Sequence, residues 1–240
     1  MLSVVVPVKN EEDNILPLLE EIHAALDGRT EFEVIYVDDG STDWTVERLK
    51  TAKERFPRLR TLRHVASCGQ SRAIASGVQA ARGDWIVTLD GDGQNDPADI
   101  PKLLEKINAK TPAAAPLNLI AGIRARRKDT WSKRIASRLA NGIRQRLLHD
   151  GVTDTGCGLK LFRREAFLRL PYFDHMHRYL PALVRRDGGA IETVLVNHRP
   201  RVRGASNYGF FDRLWVGISD LVGVMWLMRR CKRPSFESEH

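Results

Sequence analysis

The run Trp85-Ile86-Val87-Thr88-Leu89-Asp90-Gly91-Asp92-Gly93-Gln94 passes from an apolar, β-branched segment straight into a pair of carboxylates. The pattern predicts a buried strand over 85–89 that delivers a polar end to one edge of a sheet. Alternate side chains of extended backbone point the same way, so Asp90 and Asp92 can reach one hard cation, with Gln94 as a further oxygen ligand. Mg²⁺ or Mn²⁺ accepts such ligands and commonly combines few protein groups with substrate phosphates. Taken alone, a stretch rich in Asp and Gly is also an ordinary turn. Its place at the end of a strand argues for a site.

Working outward, the N-terminal hundred residues alternate strand and helix patterns. Leu2 to Val6 reads as a buried strand stopped by Pro7. Glu11 to Leu26 reads as a helix with acids in its first turn and Ile15, Leu18, Leu19, Ile22 and Leu26 on one face. Phe32 to Val37 is a second strand, ending in Asp38-Asp39-Gly40, after which Ser41 or Thr42 can cap a helix through Arg55. A weaker strand, Leu59 to His64, precedes an Ala-rich helix, Ser71 to Ala81. Such alternation implies an α/β fold, a Rossmann-like and mostly parallel sheet flanked by helices. Ligands of such sheets sit beyond the carboxyl ends of the strands. Asn10-Glu11-Glu12, Asp38-Asp39 and Asp90-Gly91-Asp92 are therefore expected to meet at one edge.

Further along, the patterns predict a helix from Pro97 to Asn108, a strand at Leu117–Gly122, a basic amphipathic helix at Trp131–Leu148 and a strand at Leu159–Phe162. A helix at Arg164–Leu170 and a strand-like run at Ala190–Arg199 follow. Phe210 to Arg230 closes the chain as a helix or helix pair. The expected division is a catalytic domain over 1–208, an amphipathic membrane-interface appendage over 209–233 and a disordered tail over 234–240.

The net charge of +8 admits nucleic acid, phosphate-rich substrates or an anionic membrane as partner. The excess is localised: Arg124 to Arg146 holds nine Lys or Arg against one Asp, and Arg199 to Arg233 holds eight against two. A non-catalytic nucleic-acid module would interleave aromatics with these runs for stacking, yet the first contains only Trp131. Nucleic acid is therefore not an expected partner. Three scattered cysteines, Cys68, Cys157 and Cys231, argue against a disulfide framework. The opening Met1-Leu2-Ser3-Val4 lacks a basic n-region and is not read as a signal peptide. No stretch reaches the roughly 18 apolar residues of a spanning helix.

Val6-Pro7-Val8-Lys9-Asn10-Glu11-Glu12, Val37-Asp38-Asp39-Gly40-Ser41-Thr42-Asp43 and Leu89-Asp90-Gly91-Asp92-Gly93-Gln94, in this order, resemble glycosyltransferase family 2. More closely, they resemble its polyprenyl-phosphate sugar transferases of the dolichol-phosphate mannosyltransferase type, over Leu2 to Trp226. The resemblance implies a GT-A fold and inverting transfer of a sugar from a nucleotide-diphosphate sugar to a polyprenyl (dolichyl or undecaprenyl) phosphate. Related transferases sometimes carry further spanning helices, and their absence here suggests a truncated domain or a peripheral protein on the cytoplasmic face of a membrane, the inner or plasma membrane of a bacterium. Pro7, Asn10, Glu11, Asp38, Asp39, Gly69 and Gln70 match the donor pocket, and Asp90, Asp92 and Gln94 the metal and diphosphate site. Gly122-Ile123-Arg124 matches the Gly-x-Arg that faces donor and acceptor phosphates. Asp154-Thr155-Gly156-Cys157-Gly158 matches a turn near the acceptor, and Arg203-Gly204-Ala205-Ser206-Asn207-Tyr208 a phosphate-side motif. Two departures stand out: Asn207 replaces the usual Lys, and Ala66-Ser67-Cys68 replaces a more typical Asn-x-Gly-like approach to Gly69-Gln70.

The chemistry suits these residues. A lipid phosphate monoester is largely dianionic near neutral pH, its second pKa being about 6, so no strong general base is needed. What the reaction needs is cations that align the phosphate, and Arg124, Arg134 and Arg203 are candidates, with Ser137 and Ser206 as hydroxyl partners. Asp154 is expected first to orient an Arg and second to assist proton removal, so Asp92, Arg124, Asp154 and Arg203 form the expected catalytic set. Asp174-His175-Met176-His177-Arg178 reads as an acceptor-side loop or plain surface, because a lone His-x-His is weak evidence of a metal. Phe211, Trp215, Ile218, Val222, Met225 and Trp226 share a helical face beside Arg229, Arg230, Lys232 and Arg233, which suits an interfacial helix on anionic lipid. A core-packing or dimer-forming helix is the alternative. A family 2 transferase acting on a soluble glycan or protein would use the same donor site.

Overall fold

The structure is a computed structural model that describes residues 1–108, 115–125, 142, 144–200 and 210–231. It comprises β1 (Leu2–Val8), α1 (Ile15–Leu26), β2 (Phe32–Asp38), α2 (Thr45–Arg55), β3 (Leu59–Arg63), α3 (Gln70–Ala80) and β4 (Trp85–Thr88). Then come a 3₁₀ turn (Pro97–Asp99), α4 (Ile100–Asn108), β5 (Leu117–Arg124), β6 (Lys160–Arg163) and α5 (Arg164–Leu168). A second 3₁₀ turn (Met176–Arg178), α6 (Leu180–Arg186), β7 (Ala190–Val196) and α7 (Phe210–Arg229) complete it.

The strands form one seven-stranded sheet in the order β3-β2-β1-β4-β6-β5-β7. Every pairing is parallel except those of β6, which runs antiparallel to both β4 and β5. β1 lies between two parallel neighbours and is buried on both faces, which is why it reads as an unbroken apolar run. Its even residues Leu2, Val4, Val6 and Val8 join Ile15, Leu19, Ile22, Val34 and Tyr36 in one core. Val5, with Ile35 and Val37, faces the opposite core of Ala73, Ile74, Val78, Phe162 and Leu183. The period of two along each strand thus divides the apolar residues between two helical layers.

Several boundaries differ from the sequence reading. Pro7 does not stop β1. The backbone of Val8 is turned toward β2, where its carbonyl accepts from Asp39 N, and that of Val5 toward β4, where its carbonyl accepts from Leu89 N. Pro7, two residues after Val5, therefore turns its nitrogen to the β4 side, beyond the last β4 pair at Thr88, where no donor is required. The first helix begins at Ile15 rather than Glu11, so its first turn holds no acid. The next helix begins at Thr45, its amide held by Asp43 Oδ1, and neither Ser41 nor Thr42 caps it. β7 ends at Val196, and His198 instead bridges to Asn95. Of the expected helix at 131–148, the described residues 142 and 144–148 are helical and the others lie outside the described residues. α7 is a single helix rather than a pair.

α3 lies unusually close to β1 because Gly77 has no side chain; a Cβ there would collide with Val5 Cγ1 and meet Val37 Cγ2 at 3.1 Å. Gly77→Ala would gain about 1 kcal/mol of helix propensity and lose about 1–3 kcal/mol to overpacking. Val5 is fixed from both sides in the sheet centre, so the loss should win, by on the order of 1 kcal/mol. The midpoint of urea unfolding should fall accordingly, and an unchanged or raised midpoint would mean that α3 can retreat freely.

Candidate active site

The carboxyl ends of β1, β2, β4 and β5 converge, and the reversed β6 brings its beginning to the same edge. Thr88 pairs with Lys160, and continuing that antiparallel register puts Asp90 opposite Gly158. Any Cβ on Gly158 would overlap the Asp90 carboxylate, so the carboxylate rests on bare backbone. Thr88 Oγ1 donates to the Gly158 carbonyl at 2.8 Å and locks the approach. Across the other side of β6, Arg124 reaches the 154–158 turn, where it grips Asp154 through Nε at 2.6 Å and Nη2 at 2.7 Å. This forked pair is nearly buried, so the Asp154 carboxylate fixes the direction of the Arg124 guanidinium.

A cleft of about 150 Å³ opens at this edge, and Pro7, Gln70, Asp90, Thr155, Gly158, Lys160, His177 and Arg178 contribute to its walls. Gln70 Nε2 donates to Asp90 Oδ1 at 2.7 Å. Burial and the neighbouring Asp92 charge push the Asp90 carboxyl upward, against the pull of Lys160, Gln70 and Arg124. Asp92 itself is not the next step of an extended strand. Residues 91–92 form a turn, Gly93 adopts a left-handed φ of 71°, and Asp92 Oδ1 accepts from Gln94 N at 3.1 Å. The turn sends Asp92 toward an adjoining cleft with Asn14, Glu21, Gly93 and Arg199, while its charge remains felt at Asp90. Gln94 Nε2 reaches the Arg199 carbonyl at 3.4 Å. Asp90 and Asp92 repel one another and offer hard carboxylate oxygens, the kind of ligand that a divalent ion of the Mg²⁺ or Mn²⁺ type accepts.

The other residues matched to a donor pocket by sequence brace loops. Asn10, at φ 56°, accepts from Thr42 N at 2.8 Å, and its own amide donates to Ser41 Oγ at 2.9 Å. Glu11 receives the Asn14 side-chain amide at 2.6 Å, and its backbone N donates to Thr45 Oγ1 at 3.0 Å. The 10–12 and 41–45 segments are thereby zipped together. Asp38 is buried, accepts from Ser41 N at 2.9 Å and has Oδ2 3.2 Å from Arg63 Nε without hydrogen-bond alignment. Asp39 receives four bonds, from His64 Nδ1 (2.7 Å), Cys68 N (2.8 Å), Ser67 Oγ (2.7 Å) and Gly69 N (2.9 Å). Burial raises its carboxyl, but these donors outweigh it and hold the group below the usual carboxylate range. Gly69 opens α3 at φ 86°, a conformation that side-chain-bearing residues rarely adopt. Arg134, Ser137, Arg203 and Ser206 lie outside the described residues.

One cleft residue, Lys160, escapes the sequence reading, and another, His177, reads there only as part of an acceptor-side loop or plain surface. Lys160 is buried, its Nζ donating to the Cys157 carbonyl; burial draws its ammonium below the ordinary lysine range, while the charges of Asp90 and Asp154 help to hold its proton. A Lys inside the apolar run Leu159-Lys160-Leu161-Phe162 was the available signal. His177 is not plain surface: its Nδ1 lies 2.7 Å from Ser71 Oγ, and burial with the Lys160 and Arg178 charges keeps it well below the histidine range, hence neutral. Only the surrounding 3₁₀ turn, invisible in periodicity, carries it there.

The raised Asp90 carboxyl has a thermodynamic sign. An acid that holds its proton more firmly when folded costs the fold stability as pH rises from the ordinary carboxylate value through the raised one, and the loss is complete above the latter. Asp90→Asn should therefore raise the melting temperature in chelator at pH 7, with the gain vanishing in the acid range. A lower melting temperature for Asp90→Asn at pH 7 would show that Lys160 and Gln70 more than compensate the charge.

Comparison with known proteins agrees with this geometry. Residues 3–170 match the family described as Glycosyl transferase family 2. The dodecaprenyl-phosphate galacturonate synthase of Rhizobium johnstonii is 37% identical over 238 residues, which is 97% of this chain and 69% of that protein. The undecaprenyl-phosphate 4-deoxy-4-formamido-L-arabinose transferase of Edwardsiella ictaluri is 35% identical over 87% of this chain and 63% of its own length. Its namesake in Pseudomonas aeruginosa is 35% identical over 94% and 65%. The chain thus spans about two thirds of the length of these relatives. Among solved structures, glucosyl-3-phosphoglycerate synthase of Mycobacterium tuberculosis with Mn²⁺, uridine diphosphate and glucosyl-3-phosphoglycerate superposes at a TM-score of 0.70. The match covers 98% of this chain and 81% of that one at 22% identity, a likeness of fold. The fold is GT-A, and the chain belongs to glycosyl transferase family 2.

Proposed function

We propose that this protein transfers a sugar from a nucleotide-diphosphate sugar to a polyprenyl phosphate, with inversion, at a membrane surface. The observation that carries this reading is the cleft in which the Asp90 carboxylate faces a wall bearing Lys160 and Arg178, with the Arg124–Asp154 clamp beside it. Such a site suits two phosphate-bearing substrates meeting around one divalent ion. The names of relatives at 32–37% identity, among them dodecaprenyl- and undecaprenyl-phosphate sugar transferases, support the acceptor class.

In this reading Asp90 and Asp92, with Gln94 alongside, hold Mg²⁺ or Mn²⁺, which when bound neutralises the charge growing on the departing diphosphate. Pro7, Asn10, Glu11, Asp38, Asp39, Gly69 and Gln70 shape the donor pocket, the loop braces above fixing its walls before the donor arrives. Arg124, preset by Asp154, turns its guanidinium to phosphate oxygens, and Lys160 adds positive charge from beneath. The acceptor oxygen is already anionic, so alignment matters more than proton removal. Arg134, Ser137, Arg203 and Ser206 are assigned to the acceptor phosphate by resemblance.

α7 supplies the membrane argument. Val224 is buried, and Leu221, Met225 and Met228 pack on the core beside α6. On the other side Ile218, Val222 and Trp226 are 45%, 61% and 58% exposed, one stripe at helical spacing that ends in exposed Arg229 and Arg230. Met225, grouped with this stripe by sequence, belongs to the packed side. Core packing and an exposed apolar stripe thus divide one helix between them. No helix among the described residues is long and apolar enough to cross a membrane. A peripheral helix at the cytoplasmic face fits a lipid-borne acceptor.

Purified protein, Mn²⁺, a panel of nucleotide-sugars and a short polyprenyl phosphate should release free nucleotide only when metal and lipid are both present. Asp92→Ala should cut turnover on the order of 10²–10³-fold while the circular dichroism spectrum is retained. Transfer to a water-soluble acceptor alone would refute the lipid assignment. In a vesicle sedimentation assay, Arg229→Ala with Arg230→Ala should weaken binding to anionic vesicles by about 2 kcal/mol, roughly 30-fold. Equal binding by the double variant would place α7 away from the bilayer.

A further inference from the structure

Cys68 is a thiol that the transferase chemistry leaves without a task. It lies in the 66–68 segment that departs from the pattern resembled, on the loop that Asp39 holds. A carboxylate oxygen of Asp39, a ring nitrogen of His64 and Cys68 Sγ all lie within 4.8 Å of one another. His64 is fixed from behind, its Nε2 3.0 Å from Ser76 Oγ, so that Nδ1 faces Asp39 Oδ1 at 2.7 Å. Metal-binding histidines are oriented by such a partner on the remote nitrogen. The Cys68 amide is anchored to the same Asp39 oxygen at 2.8 Å, and its exposed thiol donates to the Ala66 carbonyl at 3.3 Å.

We propose that Asp39, His64 and Cys68 form a second metal site, selective for a borderline-soft divalent ion of the zinc type and distinct from the oxygen-only Asp90 site. Three ligands of oxygen, nitrogen and sulfur with a fourth position open to solvent match the tetrahedral preference of such ions. The proton balance is simple. The thiol releases one proton to solvent. The His64 proton moves from Nδ1 to Nε2, where the Ser76 hydroxyl turns to accept it, and Nδ1 is left as a ligand. The Nδ1–Oδ1 separation must open by about 0.6 Å to admit an ion with bonds near 2.0 Å. Asp39 keeps its other bonds, from Cys68 N, Ser67 Oγ and Gly69 N, as support for the ligating carboxylate. If the donor pocket is where the transferase reading puts it, an ion here occupies the acid assigned to the nucleotide, and zinc competes with the donor.

Cobalt(II) titration of the full chain, with no nucleotide present, tests the site itself. The wild type should develop a thiolate-to-cobalt charge-transfer band in the near ultraviolet together with intense tetrahedral bands in the visible. Zn²⁺ should abolish both while one proton per ion is released during its own binding. Cys68→Ser, an exposed change, should remove the charge-transfer band, and Ser76→Ala should weaken binding about tenfold. Asp90→Asn with Asp92→Asn should leave the band intact, which keeps this result independent of the transferase reading. No charge-transfer band in the wild type, or a band that survives in both Cys68→Ser and Cys68→Ala, would overturn the proposal.

Discussion

The reversal of one short strand governs this edge of the molecule. In a sheet whose other strands all run one way, β6 alone presents its beginning where its neighbours present their ends. The antiparallel register then sets Gly158 opposite Asp90, with room for the carboxylate only because Gly158 has no side chain. The same strand carries Lys160 under the cleft and leads from the turn that holds Asp154 against Arg124. Had β6 run parallel, the turn bearing Asp154 would have emerged at the far edge of the sheet.

The charges so gathered do not suit a resting core. Asp90 is pushed toward its neutral form by burial and by Asp92, while burial draws Lys160 toward its own neutral form. Each ion is partly uncompensated, and buried charge without a full set of partners costs stability. Arg124 is the exception, because the fork to Asp154 satisfies it and fixes its direction. In the proposed reading this is a site preorganised for highly charged ligands, in which the fold gives up some stability to hold groups whose partners arrive with the substrate. The loops around it are correspondingly overdetermined: Asp39 alone receives four hydrogen bonds from residues 64–69.

Much of this was legible in the sequence, and the limits have physical causes. The parallel half followed from β-branched runs spaced by amphipathic helices, and the meeting of Asp38, Asp39 and Asp90 at one edge followed from topology alone. The direction of β6 was not legible, because four residues, Lys160 to Arg163, carry no record of which way their hydrogen bonds run. Pro7 misled because a missing donor matters only on the side where a neighbouring strand continues. Asp92 misled because a left-handed Gly93 turns the chain within the motif, where alternation assumed extended backbone. The cleft position of His177 was not legible, since it depends on contact with Ser71, 106 positions away. The apolar face of α7 was visible, but its division between core and solvent depends on α6, a helix the pattern did not reveal.

The central claim is that the Asp90 and Asp92 carboxylates grip a divalent ion together with the diphosphate of a nucleotide. Electron paramagnetic resonance of Mn²⁺, titrated into the protein with and without a nucleoside diphosphate, measures this directly. The expected result is one bound ion whose affinity rises when the nucleotide is added, with both the binding and the rise lost in Asp90→Asn and in Asp92→Asn. Equal Mn²⁺ binding in those variants, or an affinity indifferent to the nucleotide, would contradict it.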